Sequence, residues 1–332
     1  MEKAARRMVR VEDVAREAGV SPITVSRTLS NPEKVREETR KKVEAAVAKT
    51  GYVLNRFASS LRSGRSSIIS AFVSNLANPH FAQAIQGCAD ALEGSRYHLL
   101  MAQTGYSDQM QEDMLEEVLP FRPAAIMFTG LVNSDDMRER LVSLDMPVME
   151  MWDYRPDPID MLVGFSNADG GRLLGNHFRE RGFKVVAYAG RTEDRGGQRL
   201  AGFIDGLGRE PALVLPVEGG SSINDGMAAL LAILEQCPDC DAILFASDIL
   251  AVGALLQARK LGIDVPGQLA VAGYGNLDFS RHVTPSLTTV HVSSYEMGVA
   301  AGTMLLKRLM HEEVGERVVI TPIHLEVRDS TS

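Results

Sequence analysis

Residues 11–30 read VEDVAREAGVSPITVSRTLS, and this stretch decides what the chain builds. Its first half puts Val14, Ala15 and Ala18 on one face of a helix, and Gly19 supplies the backbone freedom that ends it. Gly19, Val20 and Ser21 form a turn. Ser21 is a good N-cap and Pro22 stands at the first helical position, where a missing N–H costs nothing, so a second helix runs on through ITVSRTLS. Two helices joined by three residues spell a helix-turn-helix. On the second helix Val25 and Leu29 face inward, while Ile23, Ser26, Arg27 and Ser30 form the opposite stripe, the face that would enter a DNA major groove. There Arg27 suits a guanine edge and Ile23 a thymine methyl, and Ser21, Thr24 and Ser26 suit phosphates.

Working outward, residues 36–50 (REETRKKVEAAVAKT) carry Val43, Ala46 and Val47 at helical spacing and stop at Gly51, closing a three-helix domain. Residues 52–65 (YVLNRFASSLRSGR) are basic and weakly apolar, a marginal helix alone; such a segment can fold on DNA and wedge Leu61 into the minor groove. Charge supports the same reading. Residues 1–65 hold 15 Lys/Arg and 8 Asp/Glu, net +7, whereas the remainder holds 20 and 35, net −15. A basic head on an acidic body implies a polyanion-binding module, which the overall charge of −8 conceals.

The 332 residues exceed one small domain, and 45% hydrophobic with 23% charged residues is an ordinary globular composition that excludes fibrous and wholly disordered classes. No apolar run approaches the roughly 20 residues that span a bilayer, and the basic start lacks the apolar core of a signal peptide, so a cytoplasmic protein is expected. Three cysteines are too few for a disulfide scaffold. Cys237-Pro-Asp-Cys240 has redox or half-zinc spacing but follows a helix and lacks a second ligand pair, so no metal and no cofactor are expected.

From residue 67 short apolar strands (IISAFV, HLLMAQT, AAIMFTG, PVMEMW, then MLVGFSN, VVAYAG, ALVLPV, AILFAS, LAVAGYG) alternate with amphipathic helices. Expected helices run over 81–94, 108–119, 170–181, 198–206, 224–236 and 249–260. This pattern makes an α/β body of two doubly wound lobes, whose ligand cleft is lined by the loops after the strands. Those loops are polar with a few aromatics, which suits a small hydroxylated ligand. No nucleophile elbow, H-E-x-x-H or phosphate-cradling loop appears, so no enzyme is expected; an enzyme such as a sugar-acid kinase or dehydrogenase and a sugar-binding transport receptor remain the competing classes. The missing leader and the basic head speak against the receptor.

The stretches VEDVAREAGVSPITVSRTLSNPEKV and TRKKVEAAVAKTGYVLNRFASSLRSGR resemble the LacI/GalR transcriptional regulators, and the likeness extends over essentially the whole chain. It implies a helix-turn-helix domain (1–56), a hinge helix (57–66) and a periplasmic-binding-protein-like effector and dimerisation core (67–332). A homodimer then reads a near-palindromic operator on double-stranded DNA, with DNA contacts from Ser21, Pro22, Ile23, Thr24, Ser26, Arg27, Ser30, Thr39, Asn55 and Leu61. In the cleft the resemblance implies that Arg199 grips the effector, with Ser74, His80, Phe81, Ser247 and Asn276 as further contacts. Asp248 is expected to cap a helix. Where the family places an aspartate after LAVAGY this chain has Gly275, and Trp152 with Asp153 occupy another strand end. The stretch MEMWDYRPDPIDMLVGFSN looks like the gluconate-repressor branch. The expected effector is therefore a sugar acid such as gluconate, a related aldonate or phosphogluconate, with Arg199 and His80 as local positive charge and a neutral sugar or nucleobase as the alternative.

Overall fold

The computed structural model describes residues 9–52, 66–217 and 222–332; Asn55, Leu61 and residues 57–65 of the expected hinge lie outside them. The chain divides between Ser66 and Ser67 into two compact units.

In the first unit α1 (Val11–Ala18), α2 (Pro22–Ser30) and α3 (Glu37–Thr50) enclose a core of Val14, Ala15, Val25, Val43 and Ala46. Local chemistry sets each boundary. Asp13 accepts the Arg10 N–H at 2.9 Å, Ser21 Oγ accepts the Thr24 N–H at 3.1 Å, and Gly19 and Gly51 end their helices in the left-handed region at φ 66° and 67°. Two details differ from the pattern reading. The third helix starts at Glu37, because Arg36 has extended-type torsions and offers no capping side chain. Leu29 is only half-buried, and Thr28 is the buried neighbour of Val25; its hydroxyl is satisfied by donating back to the Thr24 carbonyl at 2.8 Å.

The second unit holds two six-stranded sheets. One has the order β11-β5-β4-β3-β1-β2 and is parallel throughout, from β1 (Ile68–Val73), β2 (His98–Gln103), β3 (Ala125–Phe128), β4 (Val148–Met151), β5 (Met161–Gly164) and β11 (Val318–Ile320). The other, β12-β10-β9-β8-β6-β7, uses β6 (Val186–Gly190), β7 (Leu213–Pro216), β8 (Ala242–Phe245), β9 (Ala270–Gly275), β10 (Thr288–Val292) and β12 (Ile323–Glu326), with β12 antiparallel to β10. Central strands are buried on both faces, as their continuous apolar runs predict. Both sheets reverse direction of winding between the first strand and its two neighbours, which places the switch points at the carboxyl ends of β1/β3 and β6/β8.

The helices are α4 (Pro79–Ala91), α5 (Asp108–Val118), α6 (Asp135–Ser143), α7 (Asn167–Arg181), α8 (Asp194–Leu207), α9 (Ile223–Gln236), α10 (Asp248–Leu261) and α11 (Ser294–Leu309). The strand-helix pattern located all but α6 and α11. The chain end forms two further strands, one in each sheet. The polypeptide therefore crosses between lobes three times, after β5, after β10 and after β11, and α11 returns to pack on α4 of the first lobe. Gly87 and Gly298 permit that approach, since a Cβ at either would overlap a backbone carbonyl of the other helix, Tyr295 or Ala84.

Candidate functional site

Two surfaces carry the expected chemistry. On α2, Ile23 is 71% exposed and Arg27, Ser21, Pro22 and Ser30 are exposed with it, so a large apolar side chain and a cation share one open helix face. Ser21 Oγ and Thr24 Oγ1 lie 2.9 Å apart, and Ser30 Oγ donates to the Ser26 carbonyl at 2.8 Å. Thr39 is half-buried in the first turn of α3. An exposed isoleucine beside an arginine costs solubility without helping the core, the pattern expected of a recognition face.

The second surface is a cavity of about 360 Å³ between the lobes, the size of a small-molecule site. Its walls are strand ends: Ser74 after β1, Gly130 after β3, Trp152 and Asp153 after β4, Arg191 after β6, Ser247 after β8 and Gly275 at the end of β9. Helix starts add His80 and Phe81 from α4 and Arg195 and Arg199 from α8. Trp152 is buried and held at φ 75°, an uncommon conformation for a bulky residue, and its ring meets Phe81 edge-on at 4.7 Å. Ser74 is fixed by its N–H donating to Thr129 Oγ1 at 2.9 Å.

Hydrogen bonds tie the lobes across the cavity. Arg195 Nη1 donates to the Thr129 carbonyl at 3.0 Å, and Gln198 Nε2 to Asp153 Oδ2 at 2.9 Å. The Arg195 guanidinium also lies over the Phe81 ring (5.4 Å), and Arg191 lies over Tyr106 (4.6 Å). Arg199 is held within the second lobe, donating from Nε to Asn167 Oδ1 (2.8 Å) and from Nη1 to the Ala246 carbonyl (2.9 Å), with its guanidinium 4.0 Å above the Tyr274 ring. Arg191 pairs with Asp194 at 3.5 Å, but among the described residues no carboxylate comes within 4.0 Å of Arg195 or Arg199. Desolvation pulls the Arg195 pKa down, the mark of a cation short of compensation. Burial raises the Asp153 carboxyl, opposed by hydrogen bonds from the Tyr154 N–H, Asn167 and Gln198.

Three expectations require correction. His80 supplies no positive charge: burial, then Arg199 and His291, lower its pKa to about 4. Asn276 is absent from the cavity wall, because its left-handed backbone (φ 58°) turns the amide to accept from Arg328 Nη2 (2.7 Å) and to meet His291 Nδ1 (2.9 Å). Asp248 is no helix cap. Ser247 fills that place, accepting the Leu250 N–H at 3.4 Å, while the wholly buried Asp248 accepts from Ser280, Thr289 and the Leu277 N–H. That hub staples the β8, β9 and β10 ends together. The stretch 191–199 is a cleft candidate from its place after a strand, but only Arg199 carries an expected role; arginine recurs every fourth residue in RTEDRGGQR, with Arg191 just before α8 and Arg195 and Arg199 one turn apart on it.

Residues 10–55 match the family described as bacterial regulatory proteins, lacI family, and residues 176–331 match a periplasmic binding protein-like domain. The chain is 31% identical to the HTH-type transcriptional regulator GntR of Pseudomonas aeruginosa, across 97% of this chain and 95% of that one. It superposes on the crystal structure of a LacI-family transcriptional regulator from Silicibacter pomeroyi with a TM-score of 0.89 at 30% identity, covering 97% of this chain and 99% of that one. The lac repressor dimer bound to operator and the anti-inducer ONPF gives 0.78 at 26% identity, covering 98% and 99%. A helix-turn-helix unit joined to a two-lobed periplasmic-binding-like core defines a class of DNA-binding transcriptional regulators. The chain belongs to the LacI family of that class.

Proposed function

We propose that the protein is a cytoplasmic, homodimeric repressor whose operator affinity is set by a sugar acid bound between the lobes, with gluconate or a related aldonate or phosphogluconate as the effector. The observation that carries the effector class is the pair Arg195 and Arg199, two cleft-lining guanidiniums with no carboxylate within 4.0 Å among the described residues. A desolvated cation is costly until an anion arrives, and a planar guanidinium binds a carboxylate bidentately. Asp153, Gln198, Ser74 and Ser247 offer the complementary partners for hydroxyl groups, and the Trp152–Phe81 pair offers a plate for the carbon skeleton.

On this reading residues 1–56 read DNA through Ser21, Pro22, Ile23, Thr24, Ser26, Arg27, Ser30 and Thr39, residues 57–66 act as hinge with Asn55 and Leu61 on DNA, and residues 67–332 bind effector and dimerise. Effector shifts operator affinity only by binding the two lobe arrangements unequally. The sole tryptophan, Trp152, lines the cavity and makes the test direct. Titration with gluconate, other aldonates, phosphogluconate, neutral sugars and hypoxanthine should give a saturable change in Trp152 fluorescence with the acids. A response to a neutral sugar or nucleobase instead refutes the effector class.

A further inference from the structure

His80 sits where the parts of the cleft meet. It opens α4 in the first lobe. Its Nδ1 lies 2.8 Å from Oγ of Ser294, the residue with which the chain re-enters that lobe from the second. On its other side the ring abuts Gly275 at the carboxyl end of β9 in the second lobe, where any Cβ would overlap His80 Nε2. Ser294 Oγ donates to the Val292 carbonyl at 3.5 Å, leaving its lone pairs to accept from Nδ1–H. With Nδ1 as the donor in this contact, the ring carries a bare lone pair on Nε2. His80 lines the cavity, yet Nε2 is buried with no hydrogen-bond partner among the described residues.

From this geometry we propose that His80 Nε2 is the acceptor that reads one hydroxyl of the effector, and that Gly275 is the absent side chain that lets it stand across the lobe boundary. The inference rests on the sugar-acid reading and deepens it. The arginines on α8 take the anionic end, and His80 selects for a hydroxyl at a fixed distance from that end. A buried acceptor without a donor is unfavourable, so a hydroxyl that reaches Nε2 stabilises the closed lobes specifically. Binding and closure become linked through a single atom.

The experiment is a comparison of gluconate with a set of monodeoxy gluconates on the wild-type chain and on His80→Phe, read by Trp152 fluorescence. One deoxy analogue should bind the wild type about 10-fold more weakly than gluconate, and His80→Phe should bind gluconate and that analogue alike. A variant that binds gluconate as tightly as the wild type, or loses equally toward every analogue, overturns the proposal and leaves the sugar-acid reading standing. If the wild type binds no gluconate, that reading falls and takes the hydroxyl assignment with it. Nitrogen-15 spectra of the imidazole, assigned by its loss in His80→Phe, give a readout that needs no ligand. Nε2 must resonate as an unprotonated nitrogen, and a protonated Nε2 overturns the assignment independently.

Discussion

Replacing His80 by glutamine should flatten the acid limb of the stability profile of the second unit. The ring is buried beside Arg199 and close to His291, and its pKa falls from 6.5 to about 4. Between those values the unfolded chain binds a proton that the folded chain refuses, so stability is complete above the unfolded value and is lost as pH falls toward the folded one. At 1.36 kcal/mol per pKa unit, acidification from about pH 7 to about pH 4.5 costs the wild type about 2 kcal/mol through this residue alone. Burial also holds the Glu150, Asp153 and Asp248 carboxyls above their ordinary range, which works in the opposite direction, but those groups are common to both proteins and cancel in the difference. Glutamine keeps a donor within reach of Ser294 and cannot titrate. Urea unfolding followed by Trp152 fluorescence reports on the second unit alone, because the first contains no tryptophan. The two proteins should converge in stability as pH falls, by about 2 kcal/mol. Parallel profiles over the whole range would refute the claim that His80 is held neutral.

Other outcomes follow from the same geometry. Arg195→Met removes the cation that bridges to Thr129 and should weaken gluconate by roughly 10-fold to 150-fold, measured by calorimetry, while the operator affinity of the ligand-free protein changes little. Arg27→Ala on the exposed face of α2 should cost about 1–3 kcal/mol in binding to a selected operator and relax base preference at one position of each half-site, read by competition with single-base variants. Gly202→Ala puts a methyl into the Ala168 carbonyl where α7 and α8 cross; it should cost about 1–3 kcal/mol in a thermal scan and also weaken gluconate, because α8 carries Arg195 and Arg199.

The head was legible because its signals are local: a serine cap, a proline in the first turn and two glycines each act within a few residues. The body was legible wherever apolar strands alternate with long helices. It failed at α6 (DDMRERLVS), which buries only Met137 and Leu141 and is too short and polar for periodicity to register. It failed again at α11, whose partner α4 lies over 200 residues away, since a match between glycine faces on two distant helices leaves no local trace. In the cleft, the rule that ligands lie beyond strand ends reached Ser74, Trp152, Asp153 and Ser247. That rule says nothing of where a side chain points once the backbone turns left-handed, which is why Asn276 was misplaced. Nor does it say what charge survives burial, which is why His80 was expected to be cationic.

The central claim, that one chain couples a sugar acid to an operator, is tested most directly by selecting DNA from a random pool with the purified protein and titrating the winning sequence with and without saturating gluconate. The account predicts a near-palindromic site with half-sites about one helical turn apart, and an affinity that gluconate changes by about 5-fold to 150-fold. A selected site whose affinity is the same at every gluconate concentration would contradict it.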